Sequence, residues 1–287
     1  MLKIGFVGAG TVGTALAVLL SSKGYDFIGA SRKNKDRTGD KGKTVSNFHY
    51  LDTNQEVADA ADIVFITTPD GVISEVVEEV KWRSGQGVVH CSGADSTVVL
   101  EQARQAGAMV GGFHPLQTFA GVKEAIENIP GSTFAVEAGE PLKTTLKEMA
   151  SAMDGTSIEL KAEDKVAYHA AAVFACNYLV TLVKLSTDLW QTFSIPPDRA
   201  TAALLPLIRG TLHNIETIGM PDCLTGPLAR GDIGTITKHL DALAQKAPGL
   251  LSAYKELGKQ TIPVALAKGK IDESLASELE VVLGTNT

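Results

Sequence analysis

Cysteine is scarce in this chain, and scattered. The three present, Cys91, Cys176 and Cys223, form no CxxC pair and no metal-ligand cluster. That excludes a disulfide framework and a zinc site, so no metal is expected, and it points to a reducing, cytoplasmic setting. Basic excess is missing too: 26 Lys and Arg against 33 Asp and Glu leave a net charge of -7, which opposes non-specific attraction to nucleic acid. Low-complexity tracts and solenoid repeats are absent. With 44% hydrophobic and 21% charged residues, the composition is that of a soluble globular protein and not of a membrane protein. The opening MLKIGFVGAGTVGTALAVLL has the lysine and apolar run of a secretory signal. Its four glycines by residue 13 and the polar SSKGYD that follows mark folded structure instead.

What is there is a change of rhythm. Short β-branched runs (KIGFV, DFIGAS, DIVFITT, GVVHCSG) alternate with helical patterns (TVGTALAVLLSSKG, GVISEVVEEVK), the signature of βαβ units and a parallel sheet. The alternation stops near residue 160. From Ala162 the pattern is helical, beginning with AEDKVAYHAAAVFACNYLVTLVKLSTDLWQTF and resuming after SIPPDRA. The chain's 287 residues suffice for two domains, read as an α/β domain over 1–160 with a mostly parallel sheet and an all-α domain over 161–287. The first long helix is apolar around most of its circumference, so a homodimer would supply the cover it needs.

Gly8-Ala-Gly10-Thr11-Val12-Gly13 is G-x-G-x-x-G directly after the first strand and at the start of the first helix. Gly8 permits the tight turn, Gly10 lets a pyrophosphate approach the backbone, and Gly13 allows close helix–strand packing. With the helix N-terminus facing the anion, this is a dinucleotide-binding loop of Rossmann type. The second strand ends in Ser31-Arg32, where a carboxylate for the ribose 2′-hydroxyl would be usual. A hydroxyl and a guanidinium can instead bind a 2′-phosphate, so the expected cofactor is NADP(H). Lys33, Lys35 and Arg37 add positive charge, or are simply a solvated loop.

Other strand ends carry polar groups that would face the same crevice. Thr67-Thr68-Pro69-Asp70 should run along the cofactor, although Thr68 or Asp70 could equally cap the next helix. His90-Cys91-Ser92-Gly93 and Gly111-Gly112-Phe113-His114-Pro115-Leu116-Gln117 follow. His114 is open to a structural reading as a ring satisfied in a proline turn. Cys91 reads as packing rather than nucleophile. On the long helix Lys165 and His169 share a face four residues apart, and Asn177 lies eight further on. Lys165 could instead be ordinary solvated charge. In LTGPLARGD, Thr225 and Arg230 are candidates for binding substrate, Arg230 by gripping a carboxylate, and Asp232 could support Arg230 or cap the following helix.

Together these segments resemble the 6-phosphogluconate-dehydrogenase-like superfamily, which includes ketopantoate reductase and pyrroline-5-carboxylate reductase. HCSGA, GGFHPLQTF, YHAAAVFACNYLV and LTGPLARGD are more similar to a little-characterised bacterial family of Rossmann-like candidate NADP oxidoreductases with a C-terminal domain of unknown function. The resemblance covers nearly the whole chain. It places Lys165 on the lysine of a K-x-x-x-N helix motif, with His169 where asparagine is usual. It implies a ketopantoate-reductase-like hydride transfer from NADPH to a small oxo acid or imine. Lys165 or His169 would then polarise the acceptor and give the proton, with His114 and Gln117 on the opposite wall. Two rivals stand beside it: a non-catalytic NADP(H)-binding sensor, and a methyltransferase, against which Ser31-Arg32 and the helical second half speak. Fold alone does not choose among them.

Overall fold

Strands that are apolar on both faces must be covered on both. In the computed structural model, which describes residues 1–31 and 49–284, the chain divides into two compact units, Met1–Cys176 and Asn177–Thr287. The first unit contains β1 (Lys3–Val7), α1 (Thr11–Ser22), β2 (Asp26–Ser31), α2 (Asn54–Ala60), β3 (Ile63–Ile66), α3 (Ile73–Glu79) and β4 (Gly87–His90). It continues through α4 (Glu101–Gln105), β5 (Met109–Pro115), α5 (Val122–Asn128), β6 (Thr133–Ala138), α6 (Leu142–Ala152), β7 (Thr156–Glu159) and α7 (Lys165–Ala172). The sheet has seven strands in the order β2-β1-β3-β4-β5-β6-β7.

Neighbours from β2 through β5 are parallel, β6 runs antiparallel to β5, and β7 is parallel to β6. Side chains alternate across this sheet. Ile4, Phe6, Ile63 and Phe65 join Leu16 and Leu20 of α1 and Leu142, Leu146 and Met149 of α6 in one buried cluster. Val7, Val64, Ile66 and Val88 join Val57, Val76, Val77 and Ala103 in another, under α2, α3 and α4. Phe6 stacks on Phe65 with centroids 5.1 Å apart, and Phe113 on Phe134 at 4.6 Å. Such pairs add about 0.5–1.5 kcal/mol each beyond their area.

The second unit is helical: α8 (Tyr178–Gln191), α9 (Pro197–Thr217), α10 (Ile233–Lys246), α11 (Leu251–Ala267) and α12 (Glu273–Leu283). Ile236, Ile262, Ala265, Leu279 and Leu283 form its buried centre.

Three details differ from the sequence reading. The two glycines of GGFHPLQTF lie inside β5, which runs on through His114 to Pro115, so His114 is a strand residue. The apolar stretch from Ala162 is not one regular helix, because a π-helical turn, Val173–Asn177, separates α7 from α8. The regular α spacing from His169 to Asn177 therefore does not hold. The compact units meet after Cys176, so α7 belongs with the sheet. By length and composition alone, Ala162–Gln191 is long and apolar enough to cross a membrane, which is weak evidence for one helix.

Candidate functional site

The glycine loop is held by the ends of β2 and β3. Amides of Gly8 and Ala9 donate to the Ser31 carbonyl, and Thr67 Oγ1 donates to the Gly8 carbonyl at 2.5 Å. Gly8 has φ +101°, and a Cβ there would stand 2.9 Å from the Thr68 amide nitrogen, so only glycine fits the turn. A Cβ on Gly13 would collide with the Gly8 carbonyl and Thr67 Oγ1, which is why α1 can start so close to the sheet.

Gly10 is the N-cap of α1 and carries no side chain to cap it. The first bond within α1 runs from the Thr14 amide to the Gly10 carbonyl, leaving the Thr11, Val12 and Gly13 amides without helical acceptors. A Cβ on Gly10 would come no nearer than 4.0 Å to other groups, so the space before these amides is open. Beside the loop, a cleft of about 90 Å³ is lined by Gly8, Ser31, Asn54 and Thr68 among others. Ser31 donates to Asn54 Oδ1 at 2.6 Å. The Thr68 hydroxyl is buried with no partner among the described residues, so it does not cap the next turn. Free helix amides, an orphaned hydroxyl and a glycine-cleared approach fit a dinucleotide's phosphates and ribose. Pro69 starts the 3-10 turn Asp70–Val72, and Asp70 accepts from Ser92 Oγ at 2.9 Å. Arg32 lies outside the described residues, as do Lys33, Lys35 and Arg37.

Ser92 carries the site onward, since its carbonyl accepts from Lys165 Nζ at 3.3 Å. Lys165 is 2% exposed, with Nζ 3.6 Å from Glu137 Oε2, so it is not solvated charge. Register explains how a lysine fits here. His90, Gly112 and Glu137 are neighbours across β4, β5 and β6. A Cβ on Gly112 would lie 3.0 Å from Lys165 Nζ and 3.4 Å from His90 Nε2, so the glycine leaves the slot the ammonium uses. Burial pulls the Lys165 pKa down, and the Glu137 carboxylate opposes that pull.

A second glycine clears room for two rings. A Cβ on Gly93 would lie 2.6 Å from His169 Nδ1 and 2.8 Å from His114 Nε2. His114 Nδ1 is hydrogen-bonded to Tyr168 Oη at 2.8 Å, and the His114 and His169 rings meet edge to face at 5.9 Å. His169 Nδ1 is buried with no hydrogen-bond partner among the described residues. Burial, with His169 and Lys165 adding to it, pushes His114 down to about 4, so its ring is neutral near pH 7. Burial pushes the Tyr168 hydroxyl up to about 12 and the Cys91 thiol likewise to about 12, which rules Cys91 out as a thiolate nucleophile near neutrality.

His90 gives a pH prediction. The Ser92 amide donates to His90 Nδ1, so the neutral ring carries its proton on Nε2. Burial first, then Lys165 and His114, pushes its pKa down to about 3 from 6.5. Unfolded chains bind this proton below about pH 6.5 while the fold does not, so stability falls as pH drops from there toward 3, by up to about 1.4 kcal/mol per unit. Urea midpoints at pH 7 and 5 should differ less in His90→Asn than in wild type, and an equal difference removes His90 as the cause.

Gln117 is bound into its own loop, donating to the Asn128 carbonyl and Ser132 Oγ and accepting from the Thr118 amide. Asn177, Thr225 and Arg230 are exposed in the second unit, and Asp232 caps α10 through the Thr235 amide and hydroxyl. Sequence reading missed Glu137, Tyr168, Asn54 and the chemistry of His90. Tyr168 had a signal in its place beside His169. Glu137 had none, because β6 was not foreseen as the antiparallel neighbour of β5.

Comparison with known proteins agrees with this organisation. Residues 1–115 match the family described as Rossmann-like domain, and residues 132–261 match the domain of unknown function DUF2520. No curated protein matches the chain. Among solved structures, a candidate NADP oxidoreductase from Bacteroides fragilis is 25% identical, with a TM-score of 0.72 over 91% of this chain and 98% of its own. A protein from Thermotoga maritima is also 25% identical, with a TM-score of 0.73 over 93% and 99%. The Plasmodium falciparum pyrroline carboxylate reductase, solved with NADP bound, shares the fold at 16% identity, with a TM-score of 0.62 over 96% and 98%. The chain thus combines a stretch that matches a Rossmann-like domain with a following stretch that matches a DUF2520 domain.

Proposed function

We propose that this protein is an NADP(H)-dependent oxidoreductase that reduces a small oxo acid or cyclic imine. The observation that carries the reading is a set of hydrogen bonds, joined through the segment Thr67–Asp70, across the carboxyl ends of β1, β3 and β4. It runs from the glycine loop through Thr67 at one end, and from Asp70 through Ser92 to the buried Lys165 ammonium at the other. The two solved structures described above that are named for NADP share this fold. The amides of Thr11, Val12 and Gly13 would hold the pyrophosphate, with Ser31, Asn54 and Thr68 beside the ribose. NADPH, when bound, supplies the hydride.

As negative charge develops on the acceptor's oxygen or nitrogen, Lys165 Nζ gives the proton. The site then holds a neutral His114, its ring plane fixed by Tyr168, and His169 Nδ1, both available to orient the acceptor. Asn177, Thr225 and Arg230 are proposed to contact the substrate's distal group. A homodimer in the cytoplasm completes the proposal. It is supported by exposed apolar side chains on α8 and α9, including Val180 at 70% and Leu207 at 67%, and sedimentation showing a monomer at micromolar concentration overturns it.

The reading is tested by titrating the protein with NADPH and NADH through nicotinamide fluorescence, then adding 2-oxo acids and cyclic imines. Oxidation of bound NADPH by one compound supports it, while tight binding without oxidation by any compound favours a non-catalytic sensor. Arg32→Asp should weaken NADPH binding by about ten- to hundredfold, the equivalent of about 1.5–3 kcal/mol for hydrogen bonds to a charged group. An unchanged Kd removes Arg32 from the 2′-phosphate site.

A further inference from the structure

A lysine that gives up a proton from inside the protein must be reprotonated, and Lys165 is too buried to take the proton from solvent itself: its side chain is 3% exposed. Glu137 is placed to do it. Its two carboxylate oxygens share the Thr97 amide, at 3.1 and 3.2 Å, and differ in their other partner. Oε2 lies 3.6 Å from Lys165 Nζ, while Oε1 accepts from Thr97 Oγ1 at 2.8 Å. The Glu137 side chain is 15% exposed, and that exposure opens into a cavity of about 380 Å³ lined by Thr97, Arg104, Glu137, Glu140, Lys143 and Glu159 among others. Arg104 reaches Thr97 Oγ1 at 3.2 Å, and Lys143 pairs with Glu140 and Glu159. The wall is polar enough to hold water.

We propose that Glu137 is the proton conduit between Lys165 and the solvent in this cavity, separate from the nucleotide cleft. The inference rests on Lys165 as the proton donor of the proposed reductase. After Lys165 Nζ has given its proton to the acceptor, the Glu137 carboxylate takes a proton from water or a buffer acid in the cavity and passes it to the Lys165 amine. Ammonium and carboxylate are restored, and the net change is one proton drawn from solvent. Glu137 touches neither acceptor nor cofactor. It acts through Lys165.

The test needs no substrate. In protein labelled with 15N on lysine side chains, exchange of the Lys165 ammonium protons with solvent is read by NMR, the signal being assigned by its loss in Lys165→Met. Glu137→Gln should slow that exchange by about tenfold or more, in keeping with the size of general acid–base effects, with Glu137→Asp in between. A contact that serves only to hold charge gives the opposite sign, because losing the carboxylate makes the ammonium easier to deprotonate and speeds exchange. Equal or faster exchange in a folded Glu137→Gln protein overturns the proposal. A failure of every compound to oxidise NADPH would instead overturn the reductase reading and leave the exchange result standing on its own.

Discussion

Lys165→Met should reduce turnover of whichever compound is found to oxidise NADPH by about 10²- to 10⁴-fold, the span attributed to a positioned proton donor. The isosteric apolar chain fills the slot over Gly112, so packing survives and the ammonium alone is lost. The NADPH Kd should stay close to wild type, because the groups that fit the nucleotide lie on the glycine loop, β2 and the end of β3. The stability cost is expected to be about 1–3 kcal/mol, that of depriving a mostly buried charged group of one partner. It stays below the cost of a fully stranded charge because Glu137 keeps its three bonds from Thr97. The decisive comparison is kcat at fixed pH beside the NADPH titration. If kcat falls less than about threefold, well short of what loss of a general acid costs, proton delivery must be assigned elsewhere, His169 first.

Gly93→Ala is the second large effect, and it isolates geometry from chemistry. Gly93 has no left-handed backbone, so alanine is conformationally acceptable there, unlike at Gly8. The methyl group, however, would stand 2.6 Å from His169 Nδ1 and 2.8 Å from His114 Nε2, closer than real carbon contacts allow. Both rings must swing, and the His114–Tyr168 bond moves with them. Displacement of orienting groups by about 1 Å costs about 10²-fold in rate, with overpacking adding about 1–3 kcal/mol of destabilisation. Gly249→Ala, where a Cβ meets nothing within 4 Å, is the matched control and should leave both quantities unchanged. Wild-type turnover in Gly93→Ala would show that the two rings take no part.

The contrast between these glycines shows where sequence is readable. The G-x-G-x-x-G loop was legible because its meaning is local: a strand, a tight turn and a helix start lie within a few residues of one another. The parallel character of the sheet through β5 and the helical second half were legible from periodicity for the same reason. Lys165 and His169 could be placed on one face by spacing alone. What Lys165 touches could not, because Glu137 comes from β6, and the antiparallel pairing that sets it beside Gly112 leaves no trace in either segment. Gly93 and Gly112 look like turn residues in the sequence. In the fold they are vacancies cut to the size of side chains arriving from α7.

The division of the chain after Cys176 has a consequence for inheritance. Every group proposed to move a proton or to orient the reacting acceptor, Lys165, Glu137, His114 and His169, is encoded ahead of that point, whereas Asn177, Thr225 and Arg230 follow it. With the roles proposed above, reaction type and substrate choice are written in separate stretches of the gene. Mutation could drift through the second stretch and retune what is reduced, while the apparatus that reduces it is passed on unaltered.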